Sequence, residues 1–149
     1  MVSSLKREYP EQPIVGVGAV VFQDNDILLV KRGQPPAMGI WAIPGGVLNL
    51  GEKLRDGVAR EVLEECMITI EVGDIIDVID AVIRDDKGSI QFHYVLCDFL
   101  AEYKAGQVHP ASDVLDANWF KYSEVLVLNT TRGTQKVVKR AFEKTGRLK

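Results

Sequence analysis

Apolar residues along this chain come in runs, and the period of those runs changes from one segment to the next. Ile14 to Phe22 is almost continuously apolar with interspersed glycines, which predicts a strand. Asp24-Asn25-Asp26 is a turn signal, and Ile27 to Lys31 predicts the return strand of a hairpin. Gly33 to Gly39 carries Pro35-Pro36 and predicts a loop. Trp41 to Ile43 predicts a short strand running into Pro44-Gly45-Gly46. Residues 53 to 66 then take a helical period. Ile68 to Ile83 is rich in Ile and Val and predicts a long or bent strand, followed by a second hairpin turn at Asp85-Asp86-Lys87-Gly88. Ile90 to Tyr103 predicts the answering strand, Gly106 to Asp113 a loop, and Ala117 to Tyr122 a short strand. Ser123 to Val127 predicts a helical turn, and a cap at Asn129 or Thr130 predicts a last helix to about Lys144. Residues 1 to 13, with Pro10 and Pro13, read as a polar lead-in. Strands around one central helix, with a second helix at the end, predict an α/β sandwich spanning a single domain, 1–149.

The central helix carries the chemistry. At about 100° per residue, Glu61, Glu64 and Glu65 share an arc of about 100°, because residues three and four apart are neighbours. Ala59, Val62, Leu63 and Cys66 form a separate apolar arc expected to face a core. The acidic arc is costly when empty. Like charges at these spacings repel by roughly 0.2–0.5 kcal/mol per pair. Glu64 and Glu65 also lie near the helix C-terminus, which disfavours anions by roughly 0.3–1 kcal/mol each. Gly57 costs about 1 kcal/mol against Ala in a helix interior, and its missing side chain is expected to leave room for an approaching group. A hard divalent cation such as Mg²⁺ would turn the repulsion into coordination.

Gly46, then Glu52, then Arg60-Glu61-Val62-Leu63-Glu64-Glu65 extend this arc into a longer motif. The run resembles the Nudix box: Gly, five residues, Glu, seven residues, Arg-Glu, an aliphatic, any residue, Glu-Glu, any residue, Gly, aliphatic. This chain matches at Gly46, Glu52, Arg60-Glu61, Val62, Glu64-Glu65 and Ile68. Met67 stands where the family usually has Gly. That glycine commonly ends a helix in a left-handed conformation, so the departure bears on the C-terminal turn and on no metal ligand. Leu28 to Arg32, Gly39 to Gly46 and Asn118-Trp119-Phe120 are also Nudix-like, so the resemblance covers roughly residues 14 to 142. It implies a mixed sheet between helices, an α/β/α sandwich with the box as a loop-helix-loop. It also implies a hydrolase that cleaves nucleoside diphosphates linked to another moiety.

The family roles carry over position by position. Glu61 and Glu65 are the implied Mg²⁺ ligands, with Mn²⁺ as a substitute, Glu64 is a ligand or water-positioning base, and the Gly46 carbonyl completes the shell. Arg60 and Glu52 are implied to hold the glutamates in place, and a plain structural salt bridge between them is compatible with that. Some relatives use a further acid before the strand that bears Trp119. Asp113 is the first candidate and Asp116 the second, against the alternative of solvated loop acids. Arg32 follows a strand that borders substrate in relatives, which makes it a candidate for a substrate phosphate or else a surface arginine. His93 reads as a packed or surface histidine rather than a catalytic one. Trp41 and Trp119 read as core anchors, although an aromatic beside the cleft would suit a nucleobase.

The chain has 149 residues, enough for one domain with a real core. Its 46% hydrophobic and 26% charged residues are ordinary for a globular protein. A net charge of −3 gives no reason to expect nucleic-acid polymers or anionic membranes as partners. An acidic protein handling polyphosphates needs cations, in keeping with a metal site. Cys66 and Cys97 read as buried free thiols in a reducing cytoplasm. No signal peptide is expected in MVSSLKREYP, and no apolar run is long enough for a membrane span. The expected partner is therefore a small-molecule nucleotide. Homodimers are common among relatives, so the resemblance leaves a homodimer open.

Tyr9-Pro10, Val15 to Gly18, Pro35-Pro36 and Pro44-Gly45-Gly46 resemble bacterial or archaeal Nudix proteins grouped with ADP-ribose pyrophosphatases and MutT. ADP-ribose or a similar nucleotide sugar is the favoured substrate, cleaved to AMP and a sugar phosphate. Two details depart from subgroup patterns. Typical ADP-ribose enzymes have a proline shortly after the box, and none occurs here between Met67 and Val108. The diadenosine polyphosphate group shows Pro-Lys-Gly where this chain has Pro44-Gly45-Gly46. A MutT-type hydrolase of oxidised nucleoside triphosphates is the alternative. A non-catalytic nucleotide-binding regulator is a third reading, set against it by the presence of Glu61, Glu64 and Glu65.

Overall fold

The computed structural model describes residues 5–148, so the first four residues of the polar lead-in lie outside it. The strands are β1 (Ile14–Gln23), β2 (Asp26–Arg32), β3 (Trp41–Ala42), β4 (Gly45–Val47), β5 (Thr69–Arg84), β6 (Ile90–Ala105) and β7 (Val114–Phe120). The helices are α1 (Leu54–Cys66), α2 (Tyr122–Val125) and α3 (Arg132–Lys144). All seven strands join one mixed sheet in the order β3-β2-β1-β6-β5, with β4 on β1 and β7 on β2.

β1 is apolar at nearly every position because both of its faces are buried. Val17, Ala19 and Val21 point to the α1 side, where they meet Val58, Val62 and Cys66. Val20 and Phe22 point the other way, onto Val125 of α2 and Val137, Val138, Ala141 and Phe142 of α3. β2 alternates in the same manner, Leu28 and Val30 to one layer and Ile27 and Leu29 to the other. The result is an α/β/α sandwich. Burying a side chain such as Val58 or Val62 contributes roughly 1.5–3 kcal/mol, which holds α1 to the sheet.

Several expectations need correction. The first hairpin pairs only at Phe22–Ile27 and Gln23–Asp26. The long partner of β1 is β6, which runs parallel to it from Ile14–Tyr94 to Phe22–Glu102. β1 and β2 splay apart because the segment holding β3 and β4 wedges between them: β4 pairs with Gly16 to Gly18, and β3 with Val30 and Lys31. β7 starts at Val114 rather than Ala117, and β6 runs on to Ala105. The cap of α3 is Thr131, whose side chain accepts from the Thr134 N–H, rather than Asn129 or Thr130. The Thr130 hydroxyl is instead taken by Gln135 Nε2, at 2.9 Å.

The buried stripe of α1 is Gly57, Val58, Val62 and Cys66. Leu63, expected inside, is 47% exposed, and Ala59 is half-buried. The stripe is rotated toward Val58 because α1 must also present Glu61 and Glu65 to β4. Gly57 does not make room for a ligand. A β-carbon there would lie 2.7 Å from Leu48 Cδ1 and 3.0 Å from Glu52 Oε1, so the glycine admits the preceding loop. Met67 keeps the left-handed cap with φ 64°, and its N–H still reaches the Leu63 carbonyl. The family geometry therefore survives without the glycine, at a cost of roughly 1–2 kcal/mol.

Candidate active site

α1 aims its acids at a strand made of glycines. β4 is Gly45-Gly46-Val47, paired with Gly18, Val17 and Gly16 of β1. A β-carbon on Gly46 would collide with the Glu61 carboxylate, and one on Gly45 would collide with the Val17 carbonyl. Only residues without side chains let the helix and β1 close on this strand from two sides. Glu65 accepts from the Gly45 N–H at 2.8 Å.

Arg60 is the hub of the box. Its Nε and Nη2 grip Glu52 at 2.7 and 2.9 Å, a two-pronged pairing suited to a planar guanidinium. Nη1 donates to Glu61 at 2.9 Å and to Glu64 at 3.1 Å, and Nη2 also reaches the Val47 carbonyl at 3.0 Å. Glu52 in turn accepts from the Asn49 N–H at 3.1 Å. Hydrogen bonding from Arg60 holds the Glu52 carboxyl below its ordinary range, and the partnership pushes Arg60 further up. The salt bridge and the positioning contacts are thus the same set of bonds.

Glu61 and Glu65 are strained electrostatically. Burial pushes Glu61 up, against the pull of Arg60 and the field of Arg7. Burial pushes Glu65 to about 8, and the charges of Glu61 and Asp113 push in the same direction. The Gly45 N–H and the charge of Arg32 oppose that rise only partly. Without a cation Glu65 is therefore mainly protonated at neutral pH. Among the described residues no three acid, His or Cys side chains converge on one point as they stand. Arg60 ties down Glu61 and Glu64, and Glu64 lies exposed at the surface. The donor set nevertheless fits a hard cation: oxygen ligands, two of them buried carboxylates disfavoured as bare anions, beside a backbone cradle that any side chain would fill.

The outlying candidates fall in different places. Asp113 is exposed in the loop before β7, close enough to act on Glu65, and its carbonyl packs where a β-carbon on Gly33 would go. Asp116 lies on β7 opposite Lys31 and accepts from the Ala117 N–H. Arg32 ends β2 and donates to the Pro36 carbonyl at 2.6 Å, strapping its own loop while its charge acts on Glu65. His93 is half-buried in β6 opposite Val82. Trp41 and Trp119 pack edge-on against Phe120 and Tyr103. The residues missed from the sequence are Gly45, Val47 and Arg7. The first two act through backbone atoms, which leave no side-chain signature, and Arg7 comes from the lead-in.

The NUDIX domain model matches residues 12–142, most of the chain. The chain belongs to the Nudix family. It is 32% identical over 108 residues to an ADP-ribose pyrophosphatase of Methanocaldococcus jannaschii, covering 72% of this chain and 62% of that protein. It is 28% identical over 131 residues to the NAD-capped RNA hydrolase NudC of Photorhabdus laumondii, covering 80% of this chain and 43% of that one. The match thus spans less than two thirds of these curated Nudix relatives. Among solved structures, a MutT Nudix hydrolase from Burkholderia pseudomallei superposes with a TM-score of 0.76 at 31% identity, covering 87% of this chain and 98% of the other. The Nudix domain of Shewanella oneidensis NrtR, in complex with ADP ribose, shares the fold with a TM-score of 0.73 at 23% identity, covering 91% and 90%.

Proposed function

We propose that this Nudix chain is a Mg²⁺-dependent pyrophosphohydrolase acting on a nucleoside diphosphate linked to another moiety, with ADP-ribose or a similar nucleotide sugar as substrate. The observation that carries this reading is the Glu61–Glu65 pair, two carboxylates one helical turn apart, packed on Gly45-Gly46 and both raised in pKa by burial. Such a pair is unfavourable alone and favourable around a divalent cation. Glu61, Glu65 and the Gly46 carbonyl would hold the metal, which would lower the pKa of a water and neutralise phosphate charge. Glu64, exposed and held by Arg60, takes the proton of the attacking water. The new P–O bond forms from that water and the bridging P–O bond breaks, giving AMP and a sugar phosphate. Arg60 and Glu52 keep the acids in place. Asp113 adds a negative charge at the edge of the site, and Arg32 a positive one for a phosphate.

A MutT-type nucleoside triphosphate reaction is the second reading, favoured by the near-complete overlap with the Burkholderia MutT Nudix structure. The deciding experiment is a turnover screen of ADP-ribose, dinucleotides and nucleoside triphosphates, with Mg²⁺, with Mn²⁺ and with chelator. AMP release from ADP-ribose only with a divalent cation is the expected result. Metal-independent turnover, or none with any nucleotide, overturns the reading. The free, buried Cys66 and Cys97 fit a reducing cytoplasm, and among the described residues no helix is long and apolar enough to cross a membrane. A homodimer is part of the proposal, checked by light scattering.

A further inference from the structure

Gln23 at the end of β1, Tyr103 near the end of β6, Gly106, Gln107 and Val108 of the loop after it, and Trp119 of β7 line an open cavity of about 230 Å³. It lies on the α1 side of the sheet, where Tyr103, Val108 and Trp119 pack against the core. Gln23 stands five residues past Gly18, which pairs with Gly45 of β4, so the cavity is roughly 17 Å along β1 from the box. Gly106 holds φ 100°, and a β-carbon there would lie 2.8 Å from the Met67 carbonyl. The chain thus turns tightly over the end of α1 before it forms the cavity wall. The Tyr103 hydroxyl donates to the Gly106 carbonyl and fixes that wall.

The rings of Tyr103 and Trp119 meet at 89° with their centroids 5.8 Å apart. Two rings at a right angle form a corner that a third flat ring completes, stacked on one and edge-on to the other. Trp119 is half-buried, and an indole N–H in that setting ordinarily finds a partner. Here it has none among the described residues, and it is not sealed from solvent. The exposed carboxamides of Gln23 and Gln107 are unpaired as well among the described residues. The lining therefore offers a stacking corner, an indole donor and two carboxamides, and it carries no charged side chain.

We propose that this corner is a second ligand site, which takes the adenine ring of a free nucleoside or nucleotide apart from the box. Its volume falls below the roughly 300–1,000 Å³ of sites for drug-sized ligands, which suits one base rather than a whole nucleotide. A phosphate finds no cation in the lining, so only the base enters. A glutamine pairs two-pronged with adenine N6 and N7, whereas guanine shows two acceptors on that edge and is met by Arg or Lys. A ring nitrogen of adenine accepts from the Trp119 indole. A single-stranded polynucleotide needs a basic groove beside its stacking rings, and this lining has none. The site uses neither a metal nor Glu61 and Glu65, so its failure leaves the hydrolase reading untouched.

The test is nuclear magnetic resonance of the isotope-labelled full chain, titrated with adenosine in the presence of chelator. The chain has two tryptophans, Trp41 and Trp119, and Trp119→Phe identifies the Trp119 indole signal. Adenosine is expected to move that signal saturably and to leave the Trp41 signal in place. At least one of Gln23→Ala and Gln107→Ala, both at exposed positions, should weaken adenosine by about fivefold or more. Inosine, with a carbonyl in place of the N6 amine, should also bind more weakly by about fivefold or more. A still Trp119 signal, movement of Trp41 alone, unchanged affinity in both glutamine variants, or inosine bound as tightly as adenosine overturns the proposal.

Discussion

The Glu61 carboxylate fills the space that a side chain on Gly46 would need. The first glycine of the box is therefore the seat of an acid from the helix that follows it. A Gly46→Ala substitution pushes on the end of a flexible side chain, so the fold yields cheaply while the acid is displaced. The expected result is a stability change within about 1 kcal/mol of wild type and a fall in turnover of at least tenfold, read by urea unfolding and product release. Wild-type turnover in this variant would show that the seat of Glu61 is not functional.

Arg60 holds Glu52, Glu61 and Glu64 together. Arg60→Ala leaves the half-buried Glu52 and Glu61 without their donor. We expect a loss of about 2–3 kcal/mol in denaturant unfolding, the scale for charged hydrogen bonds. Arg60→Lys keeps the charge but not the fork, and should fall between the two.

The pH dependence follows from Glu65 and Asp98. Glu65 ordinarily titrates near 4.5 and in the fold near 8. Between those values the folded chain holds more protons than the unfolded chain, so folding stability falls as pH rises. Asp98 acts with the same sign from 3.8 to about 6. Chelator-treated protein should thus melt at a lower temperature at pH 8 than at pH 6, and Glu65→Gln should flatten that slope. A divalent cation should raise the melting temperature most at high pH, where the proton no longer competes.

Glu65→Gln and Glu61→Gln are each expected to remove most turnover while circular dichroism stays native. Retained turnover in both would place the metal elsewhere.

Met67 holds φ 64° with a half-exposed side chain. Met67→Gly relieves the left-handed strain and adds some freedom to the unfolded chain. The net expectation is a gain of about 0.5–1 kcal/mol, with turnover unchanged. A loss of stability would mean that the methionine's packing outweighs its backbone cost.

Spacing alone exposed the box: the interval from Gly46 to Glu52, Arg60 and the three glutamates identifies the elements and their order, because a helix puts residues three and four apart on one face. Apolar runs likewise located most strands and the last helix. The sequence could not say that β1 lies parallel to β6 rather than against β2, since a strand buried on both faces carries no register in its pattern. It placed Leu63 inside, where the need to seat Glu61 and Glu65 on β4 turned it outward. Nothing in the pattern of the strand predicted for Ile90 to Tyr103 singles out Asp98 as buried. Burial and hydrogen-bond partners come from distant parts of the chain meeting in space. Only the folded arrangement shows that Asp98 is buried beside Gly18, and that Glu65 rests on the Gly45 backbone with too little positive charge to keep it ionised.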